Sequence, residues 1–365
     1  MGLTSSCPSN TQRDEIALEP NDDIEAGPDT QSKTECSPQS NDFGTNAQMA
    51  NVKAHAEEIN CLVVSEDGSL VASGSEDCSI RVWSIDRWDC VRELLGHDDY
   101  ITCLVFVGTR LLSGSGDMTV LMWDLIQGDR IFTITGHTGC ITSICVTKTQ
   151  IFTSANDLLV HCWSLEDGSP IREYTGHKGA VYGIRISTGA NESINQEKST
   201  DASAGRRRVR FVTFSADCTA RLWGATKSTC LQTFRGHSGP VTCVAVDEER
   251  HYLYTGSSDG RVASWLLETG QRIHWFEGHS APIIYLLISD DCLFSASSDE
   301  TVRSWVTDIA QELQVFKGHG HTVSKLCLLK GDTCDWEHTD SRVARRQDLC
   351  LGPFRTDDKD NREGE

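Results

Sequence analysis

The sequence predicts an all-β fold made of repeated small sheets, and three observations lead to this prediction. A His marks the start of each repeat, and it follows a Gly in every repeat but the first. An Asp stands six residues before a Trp inside each of the first six repeats. Between these markers, apolar residues alternate with polar ones, as in Ile59-Cys61-Val63. Markers at a fixed period indicate a repeat architecture.

The repeats start near residues 55, 97, 137, 177, 237, 279 and 319, with His-to-His steps of 42, 40, 40, 60, 42 and 40 residues. The Asp and Trp pairs are Asp77/Trp83, Asp117/Trp123, Asp157/Trp163, Asp217/Trp223, Asp259/Trp265 and Asp299/Trp305. Four residues before each Asp lies a hydroxyl side chain: Ser73, Ser113, Thr153, Thr213, Thr255 and Ser295. The spacing therefore predicts six regular units and the start of a seventh.

Each unit has room for four short strands. Period-two alternation interrupted by Gly, Ser and Asp is typical of strands and turns. A single four-stranded sheet cannot bury both of its faces, whereas sheets stacked radially cover one another. The repeats therefore predict a β-propeller.

Over residues 50 to about 330, the Gly-His and Trp markers resemble those of the WD-repeat family. The Trp-Asp pair that names the family occurs once, as Trp123-Asp124. Other residues follow the remaining five Trp markers, namely Ser84, Ser164, Gly224, Leu266 and Val306. The resemblance implies a WD-repeat propeller of six regular blades plus a degenerate or incomplete seventh.

In that family, the His, the hydroxyl, the Asp and the Trp of a blade form a buried hydrogen-bonded tetrad. The resemblance implies this role for His97, Ser113, Asp117, Trp123, His137, Thr153, Asp157, Trp163, His237, Thr255, Asp259 and Trp265. The chemistry agrees, because His can contact both the carboxylate and the hydroxyl, and the hydroxyl can accept the indole N–H. A hydroxyl so occupied is a poor nucleophile, so a structural role is expected and no catalytic residue is assigned.

The seventh repeat begins at His319 and continues with the apolar run "TVSKLCLL", but no hydroxyl, Asp and Trp follow at the expected spacing. Trp336 is out of register. Residues 49–54 resemble the strand that precedes a Gly-His, and in the family such a strand often closes the ring. We therefore expect a poor seventh blade built from residues 49–54 and 320–355. The alternative is a truncated product with an open ring.

Composition sets the domain limits. Residues 1–48 carry nine acidic and two basic side chains and few large apolar ones, which predicts a disordered acidic tail. The propeller is assigned to residues 49–333, and residues 334–365 to an irregular, disordered C-terminal tail.

The formal charge of -20 argues against a nucleic-acid ligand. The chain has no apolar run long enough for a transmembrane segment.

The 60-residue fourth repeat contains an insertion at residues 188–208. It joins the first and second strands of its blade and is expected at the bottom face. Arg206, Arg207 and Arg208 could contact an acidic partner or lipid headgroups. The alternative is a solvated loop.

A protein or peptide partner is expected at the top face, the end of the blades that carries the His and Asp markers. Its candidate binding residues are Glu58, Asn60, Glu76, Tyr100, Asn156 and Tyr182. None of the top positions is Arg or Lys, which disfavours a phosphopeptide. Glu58 and Glu76 favour a basic partner, and the exposed Tyr residues favour an apolar one.

The N-terminal "MGLTSSC" matches the N-myristoylation pattern, with Gly2 as acceptor and Cys7 placed for palmitoylation. A single acyl chain gives weak membrane binding. The expected location is cytoplasmic, with membrane association through acylation, and the nucleus as an alternative.

Sixteen cysteines without a C-x-x-C pair or a secretory signal predict reduced, mostly buried thiols.

Three functions follow from these patterns. The first is a non-catalytic interaction scaffold without cofactor. The second is a substrate receptor of a ubiquitin ligase, although residues 1–48 lack the helical periodicity of an F-box. The third is a hydrolase, for which no nucleophile motif is present. No metal site is assigned, because His319, His321, Cys327, Cys334 and His338 match no zinc spacing. The oligomeric state is left open.

Overall fold

The structure, a computed structural model, describes residues 55–87, 89–187, 209–289 and 291–326. The predicted tails, residues 49–54, the insertion at 188–208 and the acylation candidates Gly2 and Cys7 lie outside the described residues. Within the described ranges the chain forms 24 strands in six four-stranded antiparallel sheets, and no helix. No helix in this part of the chain is therefore long and apolar enough to cross a bilayer.

Each sheet is one blade, and its four strands follow the order of the sequence. Blade 1 comprises β1 (Ile59–Val64), β2 (Leu70–Ser75), β3 (Ile80–Ser84) and β4 (Cys90–Leu94). Blade 2 comprises β5 (Ile101–Val107), β6 (Arg110–Ser115), β7 (Val120–Asp124) and β8 (Arg130–Ile134). Blade 3 comprises β9 (Ile141–Val146), β10 (Gln150–Ala155), β11 (Val160–Ser164) and β12 (Pro170–Tyr174).

The other three blades repeat this plan. Blade 4 comprises β13 (Val181–Ser187), β14 (Arg210–Ser215), β15 (Thr219–Gly224) and β16 (Cys230–Arg235). Blade 5 comprises β17 (Val241–Asp247), β18 (Tyr252–Ser257), β19 (Arg261–Leu266) and β20 (Arg272–Glu277). Blade 6 comprises β21 (Ile283–Ser289), β22 (Cys292–Ser297), β23 (Val302–Val306) and β24 (Gln311–Phe316). These six sheets confirm the predicted regular blades.

The hydrophobic core lies between blades, because each blade must cover its neighbour. Ile80, Val82 and Leu94 of blade 1 pack against Ile101 and Trp123 of blade 2. Clusters of the same kind join each following pair of blades. The first strands of consecutive blades are also in contact. The Trp of each of blades 2–6 therefore faces the preceding blade.

The Gly before the His of each of blades 2–6 has a steric cause. Gly136 has a φ of 146°, and a Cβ there would lie 3.0 Å from Cη2 of Trp163. Gly96 and Gly236 show the same conformation and a similar approach to a Trp ring. Only a residue without a side chain allows the backbone to pass so close to the indole.

Candidate functional site

The predicted tetrad residues lie together at the top of each blade. In blade 2, Nε1–H of Trp123 donates to Oγ of Ser113 at 2.8 Å. Oγ of Ser113 lies 2.8 Å from Nε2 of His97, whose Nδ1 lies 2.7 Å from Oδ2 of Asp117. These contacts fix the tautomer: Nδ1–H donates to the carboxylate, and the Ser113 hydroxyl donates to Nε2.

The same chain of bonds occurs in the other five blades. The tetrads are His55, Ser73, Asp77 and Trp83; His137, Thr153, Asp157 and Trp163; His177, Thr213, Asp217 and Trp223; His237, Thr255, Asp259 and Trp265; and His279, Ser295, Asp299 and Trp305. The hydroxyl residues are buried in all six blades.

The Asp of each tetrad accepts several further hydrogen bonds. In blade 4, the carboxylate of Asp217 accepts the backbone N–H of Lys178 and both the N–H and the hydroxyl of Thr219. Burial alone would raise the pKa of Asp217, but the bonds from Thr219, Lys178 and His177 outweigh it and lower this pKa to about 2. The carboxylate is therefore ionised in the folded protein.

Four of the tetrad histidines are neutral partners of these carboxylates near neutral pH. Burial lowers the pKa of His97, His177, His237 and His279 below its ordinary value near 6.5, against the opposing effect of the adjacent Asp. The hydroxyl of each tetrad donates to one such ring and accepts an indole N–H. With the hydroxyl thus occupied and buried, the tetrad is a structural network rather than a nucleophile with a base.

One group of side chains in the described residues has the composition of a metal site. The ligand atoms of His137, Asp157 and His161 lie within 4.8 Å of one another. Both nitrogens of His137 are already hydrogen-bonded, to Asp157 and to Thr153. A metal ion would have to replace the tetrad bonds, so this group fits the tetrad better than a metal.

The cysteines are free in the described part of the chain. Cys61, Cys162 and Cys243 are buried and Cys90 is exposed, while the others are partly buried, so the thiols are less fully buried than predicted. Burial raises the pKa of Cys103 and of Cys243 to about 12. These two thiols are therefore protonated at neutral pH and are poor nucleophiles.

The predicted top-face residues are all exposed: Glu58, Asn60, Glu76, Tyr100, Asn156 and Tyr182. In every blade, a backbone hydrogen bond joins the residue before the turn Asp to the third residue after the His. The N–H of Glu76 donates to the carbonyl of Glu58 at 2.9 Å, and the N–H of Gly116 donates to that of Tyr100 at 2.9 Å. The residue before each turn Asp thus lies next to the third residue after the His.

In blades 1 and 3, the fifth residue after the His has a structural role that the sequence did not reveal. The side-chain amide of Asn60 donates to the carbonyl of Ile101 in the next blade at 3.2 Å. Thr142 donates in the same way to the carbonyl of Val181 at 2.6 Å. These side chains therefore connect neighbouring blades, and part of the hydrogen-bonding capacity of Asn60 is already used.

The top of blades 1 and 2 forms an acidic sector. We define it by Glu57, Glu58, Glu76, Asp98 and Asp99, all of which are exposed. None of the ion pairs formed among the described residues involves these five side chains. Among the described residues, these carboxylates therefore have no ion-pair partner.

An aromatic side chain borders the acidic sector. Oη of Tyr100 lies 3.4 Å from Sγ of Cys140 in blade 3. This bond, with the nearby thiol, burial and Asp99, raises the pKa of Tyr100 to about 12. The phenol is therefore neutral at physiological pH and presents an exposed ring beside the acids.

Two apolar residues on the top face were not predicted from the sequence. Met118 and Leu158 follow the turn Asp in blades 2 and 3, have positive φ angles and are exposed. The signal was present, because the residue after each turn Asp lies at the tip of a hairpin. Together with Tyr100 and Tyr182, they give the top of blades 2–4 an apolar character.

Comparison with known proteins supports the same repeat unit. The family model described as "WD domain, G-beta repeat" matches residues 46–84, 88–124 and 228–265. The sterol regulatory element-binding protein cleavage-activating protein of Xenopus laevis is 36% identical over 92 residues, which cover 25% of this chain and 7% of that protein. Eukaryotic translation initiation factor 3 subunit I of Meyerozyma guilliermondii is 36% identical over 75 residues, covering 20% and 21% respectively.

A solved structure extends the likeness to most of the fold. The crystal structure of the computationally designed Ika8 protein superposes with a TM-score of 0.64 at 26% identity, covering 76% of this chain and 80% of that one. The chain spans only 7% and 21% of the length of the first two curated relatives, so the likeness to them concerns the repeats. The three matched repeats, the six four-stranded blades and the six tetrads show that this chain carries WD repeats and folds as a WD-repeat propeller.

Proposed function

We propose that this protein is a non-catalytic interaction scaffold that binds a basic peptide segment of a partner protein on its top face. The observation that carries the proposal is the acidic sector of blades 1 and 2, which forms no ion pair with the described residues and lies beside the exposed ring of Tyr100. A Lys or Arg of the partner can pair with these carboxylates and pack its stem on the ring. The occupied tetrads supply no reactive group.

The apolar part of the top face supports a contact longer than one side chain. Tyr100 and Tyr182 are 38% and 40% exposed, and Met118 and Leu158 lie at neighbouring hairpin tips. A segment whose basic residue reaches the acidic sector can place apolar residues over blades 3 and 4. Such anchors contribute most of the affinity in typical interfaces.

A peptide array tests this function directly. Purified full-length protein is applied to immobilised peptides that carry a basic residue among apolar ones, with acidic peptides of equal length as a reference. The double variant Glu58→Gln, Glu76→Gln is expected to lose binding to the basic peptides. The control Glu166→Gln removes an exposed carboxylate at the opposite, bottom end of blade 3 and is expected to bind as wild type. Equal binding of basic and acidic peptides would contradict the proposal.

A ubiquitin-ligase substrate receptor is the second candidate. The F-box/WD repeat-containing protein 10 of Mus musculus is 42% identical over 52 residues, but these cover only 5% of that protein. The match supports a shared repeat unit and favours neither candidate. Reconstitution of the purified chain with the scaffold subunits of a ubiquitin ligase separates them, because only a receptor forms a stable complex with those subunits.

Acylation of Gly2, with a cytoplasmic and partly membrane-associated location, forms part of the proposal. It is supported by the N-terminal sequence pattern alone. Metabolic labelling with an alkyne-bearing myristate is expected to label the wild-type chain and to leave Gly2→Ala unlabelled. Cell fractionation of the same two chains tests whether the acyl group moves the protein to membranes.

A further inference from the structure

Among the described residues, no segment covers one face of blade 1, whereas the same face of every other blade packs on a neighbour. Ile59 and Leu62 on β1 are 47% and 50% exposed. The residues at the same repeat positions in blades 2–6 are only 0–4% exposed: Ile101, Leu104, Ile141, Ile144, Val181, Ile184, Val241, Val244, Ile283 and Leu286. Trp83 is only partly buried, whereas the five equivalent indoles are buried. In blades 2–6 these residues pack on the preceding blade, so the open face has the shape of a blade contact.

The face of blade 6 that would contact a seventh blade is also incompletely covered. Phe316 at the end of β24 is only partly buried, whereas the residues at its repeat position in blades 1–5 are buried: Leu94, Ile134, Tyr174, Phe234 and Phe276. A Cβ on Gly318 would meet no atom within 4 Å, whereas one on Gly136 would touch the indole of the next blade. The exposed faces of blades 1 and 6 therefore both have the form of a contact with another blade. We call the space between these two faces the slot, and the described residues do not complete a blade there.

The chain itself supplies the first part of this blade. Val323 and Leu326 occupy the repeat positions of Ile59 and Leu62 and are buried against Phe294, Ala296 and Val302 of blade 6. The N–H of Val323 donates to the carbonyl of Ser297 at 3.3 Å. Residues 321–326 nevertheless pair with no strand in the described part of the chain. They provide one edge along which a further strand can bond.

The sequence after Leu326 does not repeat the pattern of a second and third strand. The hydroxyl, Asp and Trp of the other six repeats have no counterparts at that spacing after His319, and Trp336 is out of register. We propose that the slot between blades 6 and 1 receives a β-hairpin from a partner protein. Its first strand would pair with residues 321–326, and its alternate apolar side chains would cover Ile59 and Leu62.

This occupant is chosen because the five complete contacts between blades are all of that kind, sheet on sheet with alternating apolar residues. An exposed apolar sheet face with free edge groups is also a strong template for strand addition. The slot is a different surface from the acidic sector. The inference therefore goes beyond the proposed function and does not depend on it.

A defined hairpin tests the slot without knowledge of the natural partner. The probe is a dye-labelled synthetic peptide with the sequence of residues 292–306, the second and third strands of blade 6. Its binding to the purified full chain is measured by fluorescence anisotropy. Leu62→Asp is expected to weaken binding by about tenfold or more, because a carboxylate would be buried under the hairpin. Leu231→Asp is the matched control, since Leu231 is also 50% exposed but lies on β16.

Cysteine labelling gives an independent measurement. Maleimide modification of Leu62→Cys and Leu231→Cys, mapped by mass spectrometry, is expected to occur in both free chains. The peptide should protect the cysteine at 62 and not the one at 231.

A wild-type chain that does not bind the peptide, or an equal loss in both Asp variants, overturns the proposal. It is also overturned if the cysteine at 62 is unreactive in the free chain, because the chain's own residues then fill the slot. Protection that rises with protein concentration would assign the slot to a second copy and overturn it likewise.

Discussion

Nε1–H of Trp123 donates to Oγ of Ser113 at 2.8 Å, and equivalent bonds of 2.8–3.0 Å join the Trp and the hydroxyl in the other five blades. Ser113→Ala removes the shared oxygen and leaves the indole N–H and Nε2 of His97 buried without a partner. We expect a loss of about 1–3 kcal/mol in the free energy of unfolding, measured by urea denaturation. Thr138→Ala, an exposed hydroxyl, serves as the control and should change little.

Asp117→Asn tests the other end of the tetrad. The carboxylate accepts bonds from His97, from the backbone N–H of Asp98 and from the hydroxyl of Thr119. An amide offers one acceptor oxygen, and its NH₂ group opposes a donor. The expected destabilisation is again about 1–3 kcal/mol by urea denaturation. Asp98→Asn removes an exposed charge nearby and should be close to neutral, and a similar loss in both variants would contradict the assigned role.

Ser113 should be unreactive toward a nucleophile-directed reagent. It is buried, and its oxygen already contacts both an indole N–H and an imidazole nitrogen. We expect no covalent adduct at this residue when the folded protein is treated with a fluorophosphonate and mapped by mass spectrometry. An adduct that forms on native protein and disappears on unfolding would revive the hydrolase hypothesis.

Stability should decrease in acid in two stages. Burial lowers the pKa of His97, His177, His237 and His279 below 6.5, so the unfolded chain binds protons first as the pH falls. Their contribution is complete above 6.5 and is lost as the pH falls through the folded-state pKa. The pKa of Asp217 and of Asp299, held at about 2 against an ordinary value of 3.8, extends the loss below pH 3.8.

Thermal melting between about pH 7.5 and pH 3 measures this dependence. The melting temperature should fall below pH 6.5 and continue to fall below pH 4. A melting temperature that is constant or rises between pH 7 and pH 5 would show that the buried histidines accept protons in the folded state.

Blade 3 should gain stability from one added hydroxyl. In blade 2, Oγ of Ser115 donates to the carbonyl of Asp99 at 2.8 Å and accepts the N–H of Asp117 at 3.1 Å. Blade 3 has Ala155 at this position, fully buried. Ala155→Ser should raise the free energy of unfolding by about 0.5–1.5 kcal/mol, and the reciprocal Ser115→Ala should lower it by a similar amount. Differential scanning calorimetry of the two variants tests whether the changes have opposite signs.

The blades could be predicted from the sequence because their markers are local and repeated. The Gly before His, the hydroxyl, the Asp and the Trp keep their spacing for steric and hydrogen-bonding reasons, as Gly136 against Trp163 illustrates. The repeat spacing also predicted that Glu58, Glu76 and Tyr100 are exposed, because the position of a residue within a repeat determines its position on the blade.

Contacts between blades could not be predicted in this way. Asn60 is predicted as a binding residue, but its amide also donates to Ile101 of the next blade. Ile59 and Leu62 have the same residue types and spacing as Ile101 and Leu104, yet they are exposed. Their exposure depends on which segment lies beside blade 1. It cannot be predicted from the two residues themselves. The acylation and location predictions concern residues outside the described ranges and remain predictions.

The neutral histidines have a consequence for encounter with other molecules. A protonated imidazole would cancel the charge of its carboxylate. The histidines in blades 2, 4, 5 and 6 have lowered pKa values and are neutral near pH 7. The negative charges of their partners therefore remain uncancelled: Asp117, Asp217, Asp259 and Asp299. These fixed anions lie just beneath the same end of the molecule as the exposed acids, and the sum is a long-range negative potential. Such a field accelerates the approach of cationic molecules and is screened by electrolyte. The rate of association at this end should therefore fall steeply as ionic strength rises, even for a substitution that leaves every direct contact in place.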